Sequence, residues 1–191
     1  MISASAHSGG NALVEALSSF ISLIISGQTP ISIRPFFFGV SLIALEIKGG
    51  GVRPIAVGCT LRCLAAKVAS DKVMVEMASL LSPFQLGYGV SKGAEAAVHA
   101  ARFYLKNIGF NKVFLKLDFR NTFNSICRDR MLEVVHHLAT SIYSFVHSVY
   151  SYSSSLFWSD KIILSSEGVQ QGDPLEPLLF CLTIHHMCSR L

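Results

Sequence analysis

The sequence predicts one α/β body, and three observations carry that prediction. Hydrophobic residues make up 51% of the chain against 15% charged, with a mean hydropathy of +0.48, which excludes a disordered or solvating polypeptide. A length of 191 residues suits a single domain with a sizeable core. Segments with helical period alternate with segments of strand period, and no repeat or low-complexity linker interrupts them.

Taken in order, Leu13, Ala16, Leu17, Phe20 and Ile24 fall on one face of a helix that the Gly27 to Pro30 punctuation ends. Val40 to Ile47 and Val52 to Val57 read as two strands, joined through Gly49-Gly50-Gly51 into a hairpin with a flexible tip. Thr60 is placed to cap a helix reaching about Leu80. Ser91 is placed to cap another through Leu105, with Ala94, Ala97, Val98, Ala101 and Leu105 turned inward. Lys112 to Asp118 then reads as a strand in which Val113, Leu115 and Leu117 alternate with Phe114 and Lys116.

Composition narrows the classes of function. Five scattered cysteines, Cys59, Cys63, Cys127, Cys181 and Cys188, with no secretory signal before them, argue against a disulfide framework and for an intracellular, reducing compartment. No apolar run meets the requirement of about 20 residues for a spanning helix, because Glu15, Glu46, Pro30 and Pro35 interrupt the candidates and the run from Leu178 to Met187 holds two histidines. No membrane is therefore expected as a partner. Fourteen of the sixteen Lys and Arg lie between Arg34 and Arg130, against six of the twelve Asp and Glu. A basic middle on an apolar chain suits a polyanion, either nucleic acid or a nucleoside triphosphate.

The strand ending at Asp118 carries the chemistry. A carboxylate closing an apolar strand either caps the next helix or holds a metal at the edge of a sheet. The run Leu117-Asp118-Phe119-Arg120-Asn121-Thr122-Phe123-Asn124-Ser125 resembles the first catalytic motif of the reverse transcriptase family, specifically that of retrotransposons lacking long terminal repeats. Three further segments resemble the same family in the same order. Lys48 through Arg53-Pro54-Ile55 is similar to its fingers hairpin, and Gln85-Leu86-Gly87-Tyr88-Gly89 to the segment before the long helix that precedes the palm strand. The run from Gly168-Val169-Gln170-Gln171-Gly172-Asp173-Pro174 to Phe180 is similar to its glutamine-glycine motif. Together they cover roughly Arg34 to Met187.

The resemblance implies a palm-and-fingers polymerase fold, with fingers over about residues 1–110 and part of the palm over about 111–191. It implies an RNA template, a DNA primer and deoxynucleoside triphosphates as partners, with Mg2+ as cofactor and no obligate protein partner. Asp118 would be the catalytic metal ligand, with the Phe119 carbonyl as a second contact. Lys48 and Arg53 would meet the triphosphate, and Phe123 would exclude a ribose 2′-hydroxyl, although a ring there equally suits core packing. Gln171 and Gly172 would let backbone approach the substrate closely, while Pro174 and Pro177 suit the first turn of a helix.

Other clusters carry less. Cys59 with Cys63, His136 with His137, and His185-His186 with Cys188 read as packing rather than zinc ligands, and Glu167 and Asp173 as solvated loop charges. The family's two adjacent aspartates have no counterpart, so the chain is expected to stop before that motif and to be inactive alone. Asn124 stands where a second acid is often found, and Glu176 where relatives usually have a small residue. A non-catalytic RNA-binding or partner-binding protein of the same fold is the alternative, with a membrane-associated protein a distant third.

Overall fold

A computed structural model describes residues 2–190, with side chains described from residue 10. The chain begins with helix α1 (Ile2–Ile25), followed by a 3-10 turn at Ile31–Ile33 and the short α2 (Arg34–Phe37). The predicted hairpin follows as β1 (Val40–Glu46) and β2 (Val52–Gly58), paired antiparallel from Val40 opposite Gly58 to Glu46 opposite Val52. Helices α3 (Thr60–Leu81) and α4 (Gly93–Asn107) come next, then a 3-10 turn at Thr122–Ser125. The remainder is α5 (Arg128–Leu138), α6 (Thr140–Tyr150), a second hairpin of β3 (Ser154–Trp158) and β4 (Lys161–Ser165), and α7 (Glu176–Cys188).

The fold is mixed α/β. Its four-stranded sheet has the order β2-β1-β3-β4, with two antiparallel hairpins joined by a short parallel pairing of Val40 and Ser41 with Leu156 and Phe157. Helices α3, α5, α6 and α7 supply most of the core, where Ala65, Ala66, Ala69, Met77, Met131, Ile142, Phe145, Leu178 and Leu179 are fully buried. The small residues on α3 let neighbouring helices approach closely. The core draws on residues from Ile21 to Leu182, so both halves of the chain share it.

The Gln85 to Gly89 segment docks into this core. Gln85 Nε2 donates to the Cys181 carbonyl at 2.6 Å, and the Tyr88 hydroxyl lies 3.0 Å from Ser70 Oγ. Burial raises the Tyr88 phenol above its ordinary range.

Several expectations are corrected. Lys112 to Asp118 is not a strand: it finds no pairing partner among the described residues, and backbone groups without a partner strand cannot form a ladder. Val113 is 85% exposed and Leu115 73%. Helix α4 exists, but of its expected inward face only Ala101 is even half-buried, and the helix begins after Lys92 in the left-handed region, without a Ser91 cap. On α1 the buried pair is Ile21 and Ile24, while Leu13, Leu17 and Phe20 face solvent. Helix α3 starts at Thr60 itself, with Cys59 at the cap position. Among the described residues no helix is long and apolar enough to cross a membrane.

Candidate nucleotide and template cleft

The glutamine-glycine loop is anchored before it is shaped. Its Asp173 side chain is 3% exposed and is ion-paired with Arg62, which is 2% exposed, on α3. Leu175 N–H donates to Asp173 Oδ1 at 2.9 Å, and the Tyr150 hydroxyl donates to Oδ2 at 3.3 Å. The reading of Asp173 as a solvated loop charge is therefore overturned, while Glu167 is exposed as expected. Burial, together with the Asp173 charge, drives the Tyr150 phenol far above its ordinary range and keeps it a neutral donor. Beside it, Gln170 Nε2 donates to the Phe38 carbonyl at 3.1 Å.

A second anchor joins this loop to the segment after Asp118. Gly168 N–H donates to the Ile126 carbonyl and Val169 N–H to the Phe123 carbonyl, both at 2.8 Å. Arg128, buried at the start of α5, donates to the carbonyls of Gly168, Tyr152, Ser165 and Glu167 and lies 5.3 Å from the centre of the Tyr150 ring. Desolvation lowers its pKa, although five neighbouring acceptors and the ring face leave it well accommodated. Arg62 and Arg128 are the structural residues that sequence reasoning missed. Both sit in helices with no local signal of burial, and their partners lie at least 22 positions away.

Position 171 then meets the first hairpin. Ala56 N–H on the outer edge of β2 donates to the Gln171 carbonyl at 2.9 Å. Gly172, at φ +110°, passes so close that a Cβ there would lie 3.0 Å from the Ala56 carbonyl oxygen. Glycine was expected here for a close approach to substrate; the close neighbour that the structure shows is the protein's own β2 backbone.

These contacts bring four predicted residues together. Arg53, Phe119, Phe123 and Gln171 line one open cleft of about 340 Å³, together with Pro54 and Asn124. Arg53 is exposed within β2, Phe119 is 46% exposed, and Phe123 is half-buried with its ring edge-on to Phe180 at 5.3 Å. Phe123 therefore both packs on the core and forms a wall of the cleft. Lys48, at the exposed hairpin tip, and Asp118, exposed in the irregular segment before the 3-10 turn, are not among the cleft's lining residues.

The donors around Asp118 do not fit a complete divalent-cation site. No group of three or more His, Cys, Asp or Glu among the described residues is arranged to hold a metal, and the Phe119 carbonyl already accepts the Thr122 hydroxyl at 2.7 Å. Asn124 Nδ2 donates to Asn121 Oδ1 at 2.8 Å, which ties this side chain into the 3-10 turn. All five cysteines are free, with Cys59 and Cys127 exposed.

Two solved structures share this arrangement of elements. The "Partial Cas6-RT-Cas1--Cas2 complex" and the "Cas6-RT-Cas1--Cas2 complex" each match 95% of the chain at a TM-score of 0.50 and 18% identity. The chain spans 30% and 19% of the respective matched chains, so it corresponds to a minor part of each, and the likeness is one of fold. Residues 47–191, which include the hairpin tip, the cleft and α7, match the family described as reverse transcriptase (RNA-dependent DNA polymerase). The chain belongs to the reverse transcriptase family. No curated protein matches it.

Proposed function

We propose that the chain is the fingers and part of the palm of an RNA-directed DNA polymerase from a retrotransposon lacking long terminal repeats. Residues 1–110 form the fingers side and 111–191 the palm side. The parent reaction is magnesium-dependent deoxynucleotidyl transfer onto a DNA primer along an RNA template. Supporting the reading is the convergence of Arg53, Phe119, Phe123 and Gln171, from three separate segments, on one cleft. A guanidinium suits a triphosphate, a ring suits the sugar, and a side-chain amide suits a base or ribose edge. Asp118 is the one carboxylate that the resemblance assigns to the metal, and it belongs to no group of three or more metal-ligating side chains among the described residues.

The 191-residue chain is expected to bind an RNA-primer duplex through the basic middle and to incorporate no deoxynucleotide, since one carboxylate does not hold two metals. Primer extension on an RNA template, with fluorescence anisotropy of the same duplex, checks both halves. Chelator-sensitive incorporation above a no-protein control would overturn the claim of inactivity. Absence of salt-sensitive duplex binding would remove the nucleic-acid reading altogether.

Phe123 separates a sugar wall from mere packing. Phe123→Val is expected to narrow the binding preference for dGTP over GTP, and to cost about 1 to 2 kcal/mol of stability by releasing Phe180. Competitive binding of the two nucleotides and a urea melt read the two effects separately. A lowered melt with an unchanged preference would leave the ring as core alone.

A further inference from the structure

The turn that closes the cleft already carries an anion of its own. Gly172 N–H donates to Glu176 Oε2 at 2.6 Å, across the turn that leads into α7. Glu176 is only 9% exposed, so its carboxylate is held in place rather than free to swing into water. Gly172 itself is exposed and adjoins Gln171 in the cleft wall. Arg53, which lines the same cleft, has no carboxylate within ion-pair distance among the described residues. Burial raises the Glu176 pKa and the nearby Asp173 charge acts the same way, while the Gly172 N–H bond and, more weakly, the Arg53 charge oppose them.

We propose that Glu176 determines how tightly the cleft takes polyphosphate, because its carboxylate competes with an incoming phosphate for the Gly172 N–H and for the attraction of Arg53. The inference rests on reading the cleft as the nucleotide site and adds to it a residue that disfavours anions. A phosphate approaching Arg53 meets a fixed negative charge behind the Gln171-Gly172 turn, and the two anions repel across a partly screened distance.

The test is binding of inorganic tripolyphosphate and of dGTP to the 191-residue chain by calorimetry, at neutral pH and fixed ionic strength. Glu176→Gln removes the charge while keeping an oxygen for the Gly172 N–H, and is expected to tighten both probes about five- to tenfold. Glu176→Ser is expected to do the same, which keeps the result readable if either variant folds poorly. Arg53→Ala combined with Glu176→Gln is expected to lose the gain. Wild-type binding that depends on Arg53, with no tightening in either Glu176 variant, overturns the proposal and leaves the cleft as the nucleotide site. Tightening that survives loss of Arg53 also overturns it. Failure of every protein to bind either probe overturns the cleft reading, and this inference with it.

Discussion

Arg62→Met is expected to cost the fold about 3 to 5 kcal/mol, because it strands the Asp173 carboxylate in the core. Asp173 keeps only the Tyr150 hydroxyl and the Leu175 N–H as donors once the guanidinium is gone. Neither supplies a countercharge. The partners lie 111 residues apart in sequence, so the pair also fixes the glutamine-glycine loop onto α3. Urea unfolding of wild type and variant measures the loss. A second variant, Arg62→Met with Asp173→Leu, is expected to recover most of it, since an apolar pair has no charge to desolvate. A single-variant loss below about 1 kcal/mol would show the pair to be water-exposed in solution.

The same pair shows what local sequence does and does not encode. Asp173 lies between Gly172 and Pro174 at the entry to a helix, where an acid ordinarily meets solvent. Its burial depends on α3 and α6 closing over the loop, a long-range event that no nearby residue announces. Helix α4 shows the converse. The period of Ala94, Ala97, Val98, Ala101 and Leu105 is legible and the helix forms, yet periodicity names a face without naming what covers it. Val113, Leu115 and Leu117 alternate as a strand should, and still make no strand, because pairing needs a neighbour that the described residues do not supply. The second hairpin and the α5-α6 pair escaped the sequence reading. Leu138-Ala139-Thr140 carries no Gly or Pro to mark the helix break, and the β3-β4 turn uses Ser159 rather than Gly in the left-handed region. Arg53, Phe119, Phe123 and Gln171 were picked out from their residue types in ordered motifs, and the fold brings the four to one cleft. Gly172 was legible as a close approach, but its neighbour was not.

Gly168→Ala is the substitution expected to damage the cleft most directly. Gly168 holds φ +68°, and a Cβ there would stand 2.5 Å from the Cα, carbonyl carbon and carbonyl oxygen of Asn124. All three are backbone atoms, so no side chain can swing aside, and the 3-10 turn at Thr122–Ser125 must shift. That shift pulls on the Gly168 N–H bond to Ile126, the Val169 N–H bond to Phe123 and the Arg128 bond to the Gly168 carbonyl. The left-handed conformation alone costs an alanine about 1 to 2 kcal/mol. Gly50→Ala is the matched control, since Gly50 at the hairpin tip holds φ +91° with nothing within 4 Å of its Cβ position. It should lose only the conformational cost, whereas Gly168→Ala should lose at least about 3 kcal/mol once the collision and the strained bonds are added. Binding of dGTP should weaken in Gly168→Ala even at temperatures where the variant stays folded, because Phe123 and Asn124 move with the turn while Gln171 stays pinned to Ala56. Parallel urea melts and dGTP titrations of the two variants decide the matter. Equal losses of stability would mean that the Gly168 to Asn124 contact is loose in solution, and the two motif loops would then not be held together by it.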